Sequence, residues 1–279
     1  MILPAKPKLI FFFIFTTWFH FVVFGQNNEQ NLSFTLKGIT FEMIFVGSGV
    51  FEMGCTFEQS NCFGDEKPVH TIELSDFYIG KFQVTQKLWH VVMGRSIRMQ
   101  LYLVNNKLLT GEGNEYPMYY VNYAECEEFC NTLNQLLSKQ LPKGYKFALP
   151  TEAQWEFAAR GGNKNNDNMY CGGNNITEVA WYEENSNGKA HQVGMKYKNE
   201  LGIFDMSGNV MEWCRDWYYD FYYENSPSEN PNGPDKGSGR VVRGGGWNNK
   251  PQHCRVSFRH CTSPSNRTSD VGFRLALVR

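Results

Sequence analysis

A chain of 279 residues has room for one large domain or two small ones. With 27 Lys and Arg against 28 Asp and Glu, scattered rather than clustered, it lacks the basic footprint of a nucleic-acid binder. Its 22 Phe, 14 Tyr and 7 Trp suit a core filled with rings rather than with long aliphatic helices.

Lys6 and Lys8 precede the apolar run Leu9–Phe24, and Val23-Phe24-Gly25 places compact residues where a signal peptidase reads. The pattern predicts a secretory signal over residues 1–25, cut near Gly25–Gln26. An uncleaved anchor is the alternative, but the run is short for a span and contains His20. No later segment is apolar enough to cross a bilayer, so the reading is an exported protein: periplasmic, cell-surface or secreted.

Residues 26–40, starting with the polar Asn27–Phe34, are read as a flexible lead, and a single domain is expected over 41–279. The run FEMIFVGSGVFEMG, with Gly47 and Gly49 between two alternating stretches, predicts a hairpin. HTIELSDFYIGKFQV continues as strand. Thr85 opens a short helix through Trp89 and Met93, and Arg95–Tyr116 lacks a period and is read as exposed loop.

Asn122 with Glu125 three residues on is a capping box, followed by Cys126, Phe129, Cys130, Leu133, Leu136 and Leu137 at helical spacing on one face. Thr151 with Gln154 repeats the device before Trp155, Phe157 and Ala158, and Gly161-Gly162 stops that helix. Phe273, Leu275 and Leu277 alternate in a closing strand. The prediction is one α+β domain with two principal helices and many loops, rich in close-packed glycine and aromatic residues.

Export makes an even count of eight cysteines consistent with disulfides, whose connectivity stays open. Cys55 and Cys62 bracket a short polar loop and are the easiest local pair. Cys126 and Cys130, one helical turn apart, read as two small core residues. Of the histidines, His70, His90, His191, His253 and His260 form no close metal-ligand pair. Asn31, Asn175 and Asn266 sit in N-x-[ST] patterns. Arg243, Arg255, Arg259 and Arg274 are candidates for a basic rim, or for pairing with carboxylates such as Asp216 and Asp270.

Several segments carry a resemblance: Met53-Gly54, Glu66–His70, LPTEAQWEFAARGG at Leu149–Gly162, GIFDMSGNVMEW, RVVRGGGW and GFR. In this order they resemble the formylglycine-generating enzyme (sulfatase-modifying factor) family across nearly all of residues 40–279. The resemblance implies a fold related to C-type lectins. It also implies a copper site made by two cysteines five residues apart, a soft-ligand pair that suits Cu(I).

Here the second of those cysteines matches Cys254, but the first falls on Asn249, the family's active-site Ser on Gly246 and a Trp on Met211. Copper binding is therefore not expected. Cys254 is either a remnant ligand beside His253 or a buried or bridged cysteine in a strand, and the second reading is preferred. The resemblance further implies a structural Ca²⁺ held by Asp205 and Glu212 side chains and by the Gly208 and Val210 carbonyls.

Two functions follow. One is a non-catalytic binding module for a protein or glycan ligand, with the aromatic stretch Tyr218, Tyr219, Phe221, Tyr222 and Tyr223 as candidate surface. The other is an oxidoreductase acting on a Cys of a partner protein.

Overall fold

The computed structural model describes residues 30–104 and 108–279. The expected signal segment lies outside the described residues. Three sheets carry the architecture. The largest has five strands in the order β1 (Leu32–Leu36), β2 (Ile39–Val46), β5 (Phe77–Gly80), β11 (Ala276–Val278) and β6 (Lys146–Ala148). The second runs β10 (Val271–Gly272), β7 (Met211–Trp217), β8 (Arg240–Arg243) and β9 (Arg259–Thr262), and β3 (Gly49–Met53) pairs with β4 (His70–Leu74). Only β10 with β7 is parallel among the named pairs.

The first strand corrects the flexible lead. Leu32–Leu36 pairs with β2 in register Phe34↔Phe41, so Phe34 is buried and stacks on Phe41 at 5.7 Å. The two-residue turn is Lys37-Gly38, both at positive φ (48° and 80°), the geometry a tight hairpin needs.

The expected hairpin across Gly47–Gly49 is also corrected, because β2 pairs with β1 and β5 while β3 pairs with β4. Gly49 is there for close approach: a Cβ on it would meet Asn163 Oδ1 at 2.1 Å and Phe157 Cζ at 2.9 Å. The chain changes sheets at that point instead of turning back.

Among the described residues the α-helices are α1 (Gln86–Met93), α2 (Ile97–Leu103), α3 (Tyr123–Leu136), α4 (Glu152–Ala159) and α5 (Ile176–Val179). Thr85 caps α1, and both capping boxes form as read, Asn122 with Glu125 and Thr151 with Gln154. The helix α2, capped by Ser96, replaces part of the expected loop; it buries only Ile97 and Gln100, too little for an apolar period to show.

Trp89 of α1 stacks on Phe129 of α3 at 5.6 Å, with Phe273 edge-on to both, and this ring cluster centres one core. Cys126 and Cys130 are buried in it as free thiols. The closing strand forms only over Ala276–Val278, so Phe273 and Leu275 precede it; Arg274 and Ala276 are as buried as Phe273, Leu275 and Leu277. Among the described residues no helix is long and apolar enough to cross a membrane.

Candidate functional site

Strand β8 delivers the chain into Gly244-Gly245-Gly246. A Cβ on Gly245 would fall 2.8 Å from Cys254 Sγ and 2.6 Å from the His253 carbonyl, so this turn packs directly on Cys254. The Gly246 N–H donates to Asn249 Oδ1 at 2.8 Å, the Asn249 N–H donates back to the Gly246 carbonyl at 3.0 Å, and the Asn249 carbonyl accepts from Glu183. The Asn249 amide thus closes a turn. Cys254 ends a 3-10 turn, Pro251–Cys254, which corrects its expected place in a strand.

That thiol is fully buried among Tyr170, Val179, Ala180 and Tyr182, and burial pushes it up to about 12, helped by Glu183. His253 does not activate it. Its ring packs on Phe258 at 4.8 Å, and burial, with His260 and Arg255, holds it below the ordinary histidine value. Met211 begins β7 and is buried, its N–H on the Asp270 carbonyl. These residues do not fit Cu(I): one sulfur, protonated and shielded, stands where two thiolates are needed.

The loop Asp205–Glu212 is tight, with Asp205 and Asn209 at φ 57° and 65°. Its Val210 and Glu212 oxygens already have donors. Gln83 Nε2 reaches the Val210 carbonyl at 2.8 Å, the Asp205 carbonyl at 3.1 Å and Glu212 Oε1 at 3.0 Å. Arg274 grips both Glu212 oxygens, at 2.6 and 2.7 Å, and the Trp155 indole adds a third donor at 2.7 Å.

The Asp205 carboxylate turns instead to the Gly194 N–H at 2.7 Å, and burial raises it to about 6. As they stand these residues do not fit a calcium ion. Two of the four donors are spent on Gln83, and a cation beside Glu212 would face the buried Arg274 charge.

The four C-terminal arginines form no basic rim. Arg243, Arg255, Arg259 and Arg274 are at most 2 % exposed, and their partners are glutamates rather than Asp216 or Asp270. Arg255 holds Glu66 at 2.6 Å, Arg259 holds Glu152 at 2.7 Å, and Arg243 lies between Glu152 and Glu156. Sequence reading missed Glu66, Glu152 and Glu156. Their only signal was a carboxylate on an otherwise apolar helix or within a quoted landmark.

On the opposite side of His253, the loop from Gly54 to Val69 faces the segment after β7 across an open cleft of about 990 Å³. Cys55 and Cys62 are bridged within that loop, and Arg255 reaches in to bind Glu66 and the Asn61 carbonyl. The aromatic stretch divides. Tyr218 and Phe221 line the cleft, Tyr219 is exposed, Tyr222 is half-buried, and Tyr223 is buried core. Of the N-x-[ST] positions, Asn175 caps α5 and Asn31 accepts from the Phe45 N–H.

The family described as "Sulfatase-modifying factor enzyme 1-like domain" matches residues 31–278. The chain is 30 % identical to the protein named "Chaperone protein LppX" of Paenibacillus barcinonensis, over 73 % of this chain and 81 % of that one. It is 27 % identical to the "Formylglycine-generating enzyme" of Streptomyces coelicolor, over 82 % and 86 %. Against "Serine/threonine-protein kinase pkn1" of Chlamydia caviae it is 31 % identical over 84 % of this chain, but spans only 38 % of that length. Among solved structures, "Treponema denticola variable protein 1" superposes with a TM-score of 0.75 at 33 % identity, covering 88 % of this chain and 98 % of that one.

Proposed function

The chain belongs to the sulfatase-modifying factor enzyme 1-like domain family, and we propose that this member is an exported binding module without copper-dependent oxidase activity. One observation carries the reading. The position that must supply a second sulfur is Asn249, whose amide is spent on Gly246, while Cys254 is sealed in an apolar pocket. A neutral, hard amide oxygen does not replace a thiolate for Cu(I).

Export is supported by the apolar run Leu9–Phe24 behind Lys6 and Lys8. It is supported also by the bridged Cys55–Cys62 pair, since such bridges persist in oxidising compartments. Similarity to a relative named as a chaperone agrees with a scaffold that serves more than oxidation.

The test is direct. Purified protein is loaded with Cu(I), challenged with a Cu(I)-selective chelator, and incubated with a Cys-containing sulfatase-type peptide whose mass is followed. The expected result is full loss of copper and no formylglycine. Asn249→Cys is expected to improve copper retention without restoring oxidation, because Gly246 and Met211 leave the surroundings of the site unrepaired. Robust oxidation by the natural sequence would put an oxidoreductase in place of the binding module.

A further inference from the structure

The cleft beside the bridged loop has walls of two chemistries. One is aromatic: Phe63 packs on Phe258 at 5.7 Å and on His253 at 6.0 Å, and Phe221 stands 57 % exposed on the facing segment. Rings left in water at the mouth of a cleft are surface held ready for a partner.

The other chemistry is acidic. The Tyr218 hydroxyl donates to Asp65 Oδ2 at 2.6 Å, and Asp220 lies on the same lining. Glu224 adds a third carboxylate on the same lining. Of the cations there, Arg259 is already matched, with Nε and Nη2 on Glu152 and Nη1 on the Asp65 carbonyl. The other basic groups on the lining are the exposed Lys67 and the imidazoles of His253 and His260.

We infer that this cleft takes basic side chains of an extended peptide, the charged heads meeting Asp65, Asp220 and Glu224 and the methylene stems lying on Phe221 and Phe63. The inference rests on the binding-module reading. A cation over an aromatic face gains from the ring quadrupole, and Arg and Lys carry an apolar stem that covers such rings. An anion is repelled here. A neutral sugar could donate to the carboxylates but would leave their mutual repulsion in place, and an apolar ligand would bury them unpaired. The volume is at the upper end for a single small ligand, which favours several peptide residues over one small cation.

A fluorescein-labelled peptide of alternating Gly and Arg, titrated into the full exported chain at about 0.15 M salt, gives the affinity by anisotropy. Its Gly–Glu counterpart is the control. Asp220→Asn with Glu224→Gln is expected to weaken binding at least about tenfold, and Phe221→Ala about threefold to tenfold. All three residues are exposed, and melting curves confirm that the variants remain folded.

Equal affinity in all variants overturns the inference, as does equal binding of the Glu peptide. Free arginine or tetramethylammonium competing at the peptide's own concentration makes a small cation the ligand and overturns the peptide. Preference for a neutral oligosaccharide overturns it likewise. If no Arg peptide binds and none is oxidised, the cleft assignment falls while the module reading stands; if a Cys peptide is oxidised, the module reading falls.

Discussion

Glu212, a side chain expected to hold calcium, takes hydrogen bonds from Arg274 and the Trp155 indole. Arg274 grips both Glu212 oxygens, and its remaining donors rest on the Gly80 and Phe204 carbonyls. Glu212→Gln therefore leaves a buried guanidinium without its counter-charge, a loss of about 3–5 kcal/mol in such settings. The expected result is a large drop in Tm that is the same with Ca²⁺ and with a chelator, and an unchanged Tm for the natural chain under both conditions. A calcium-dependent rise in Tm of the natural chain would return the metal to this loop. Asp216 makes a separate prediction. Burial, and after it the charge of Glu152, pushes its carboxyl up to about 7, and burial raises Asp205 to about 6. Both acids are protonated more readily folded than unfolded. Their stabilising contribution is complete below pH about 4 and is lost as pH rises through 6 to 7. Asp216→Asn keeps an acceptor for the Glu152 N–H but cannot ionise. Its unfolding free energy relative to the natural chain should rise between pH 5 and 8, by an amount on the order of 2 kcal/mol. A difference flat with pH would show that Asp216 titrates normally.

Elements whose signals are local were legible in the sequence. Asn122–Glu125 and Thr151–Gln154 are capping boxes because both hydrogen bonds lie within four residues, and each formed. The misread hairpin fails for the opposite reason: Gly49 answers Asn163 and Phe157, more than a hundred positions away. The site divides the same way. Asn249 and Cys254 were placed by their position in a motif, whereas the cleft draws on residues 63–69, 218–224 and 253–260, which no window of sequence joins. Its loop invites a prediction at this scale. Closing a loop as short as Cys55–Cys62 should stabilise by about 2.5 kcal/mol in the chain-entropy model. Arg255–Glu66 and the Cys55 N–H on the Glu66 carbonyl hold the same loop independently. Replacing both cysteines by Ser should lower the urea midpoint modestly while the chain stays folded. An unchanged midpoint would assign the whole restraint to Arg255 and Glu66.

Across the whole molecule, buried arginine–glutamate pairs join segments that regular structure leaves apart. Arg243 of β8 and Arg259 of β9 reach Glu152 and Glu156 on α4, Arg255 reaches the bridged loop at Glu66, and Arg274 reaches β7 at Glu212. Strands of two to eight residues supply few ladder bonds, so loop positions here depend on these contacts. Charge pairing holds Glu66 and Glu152 below the ordinary carboxylate value despite their burial. Their contribution is present above pH about 4.5 and is lost as pH falls through the lowered folded values, opposite in sign to that of Asp216. A buried pair need not beat an apolar one in energy, but breaking it from one side is costly. Arg243→Met should accordingly destabilise by about 3–5 kcal/mol in denaturant unfolding, since Glu156 and Glu152 lose a shared cation. Adding Glu156→Gln should recover part of that loss, because the carboxylate that faced Arg243 is neutralised; Arg160 still pairs with Glu58 and Arg259 with Glu152. The coupling from the double-mutant cycle measures the pair itself. A single variant within about 1 kcal/mol of the natural chain, or strict additivity in the cycle, would mean that hydrophobic packing alone holds α4 against β8.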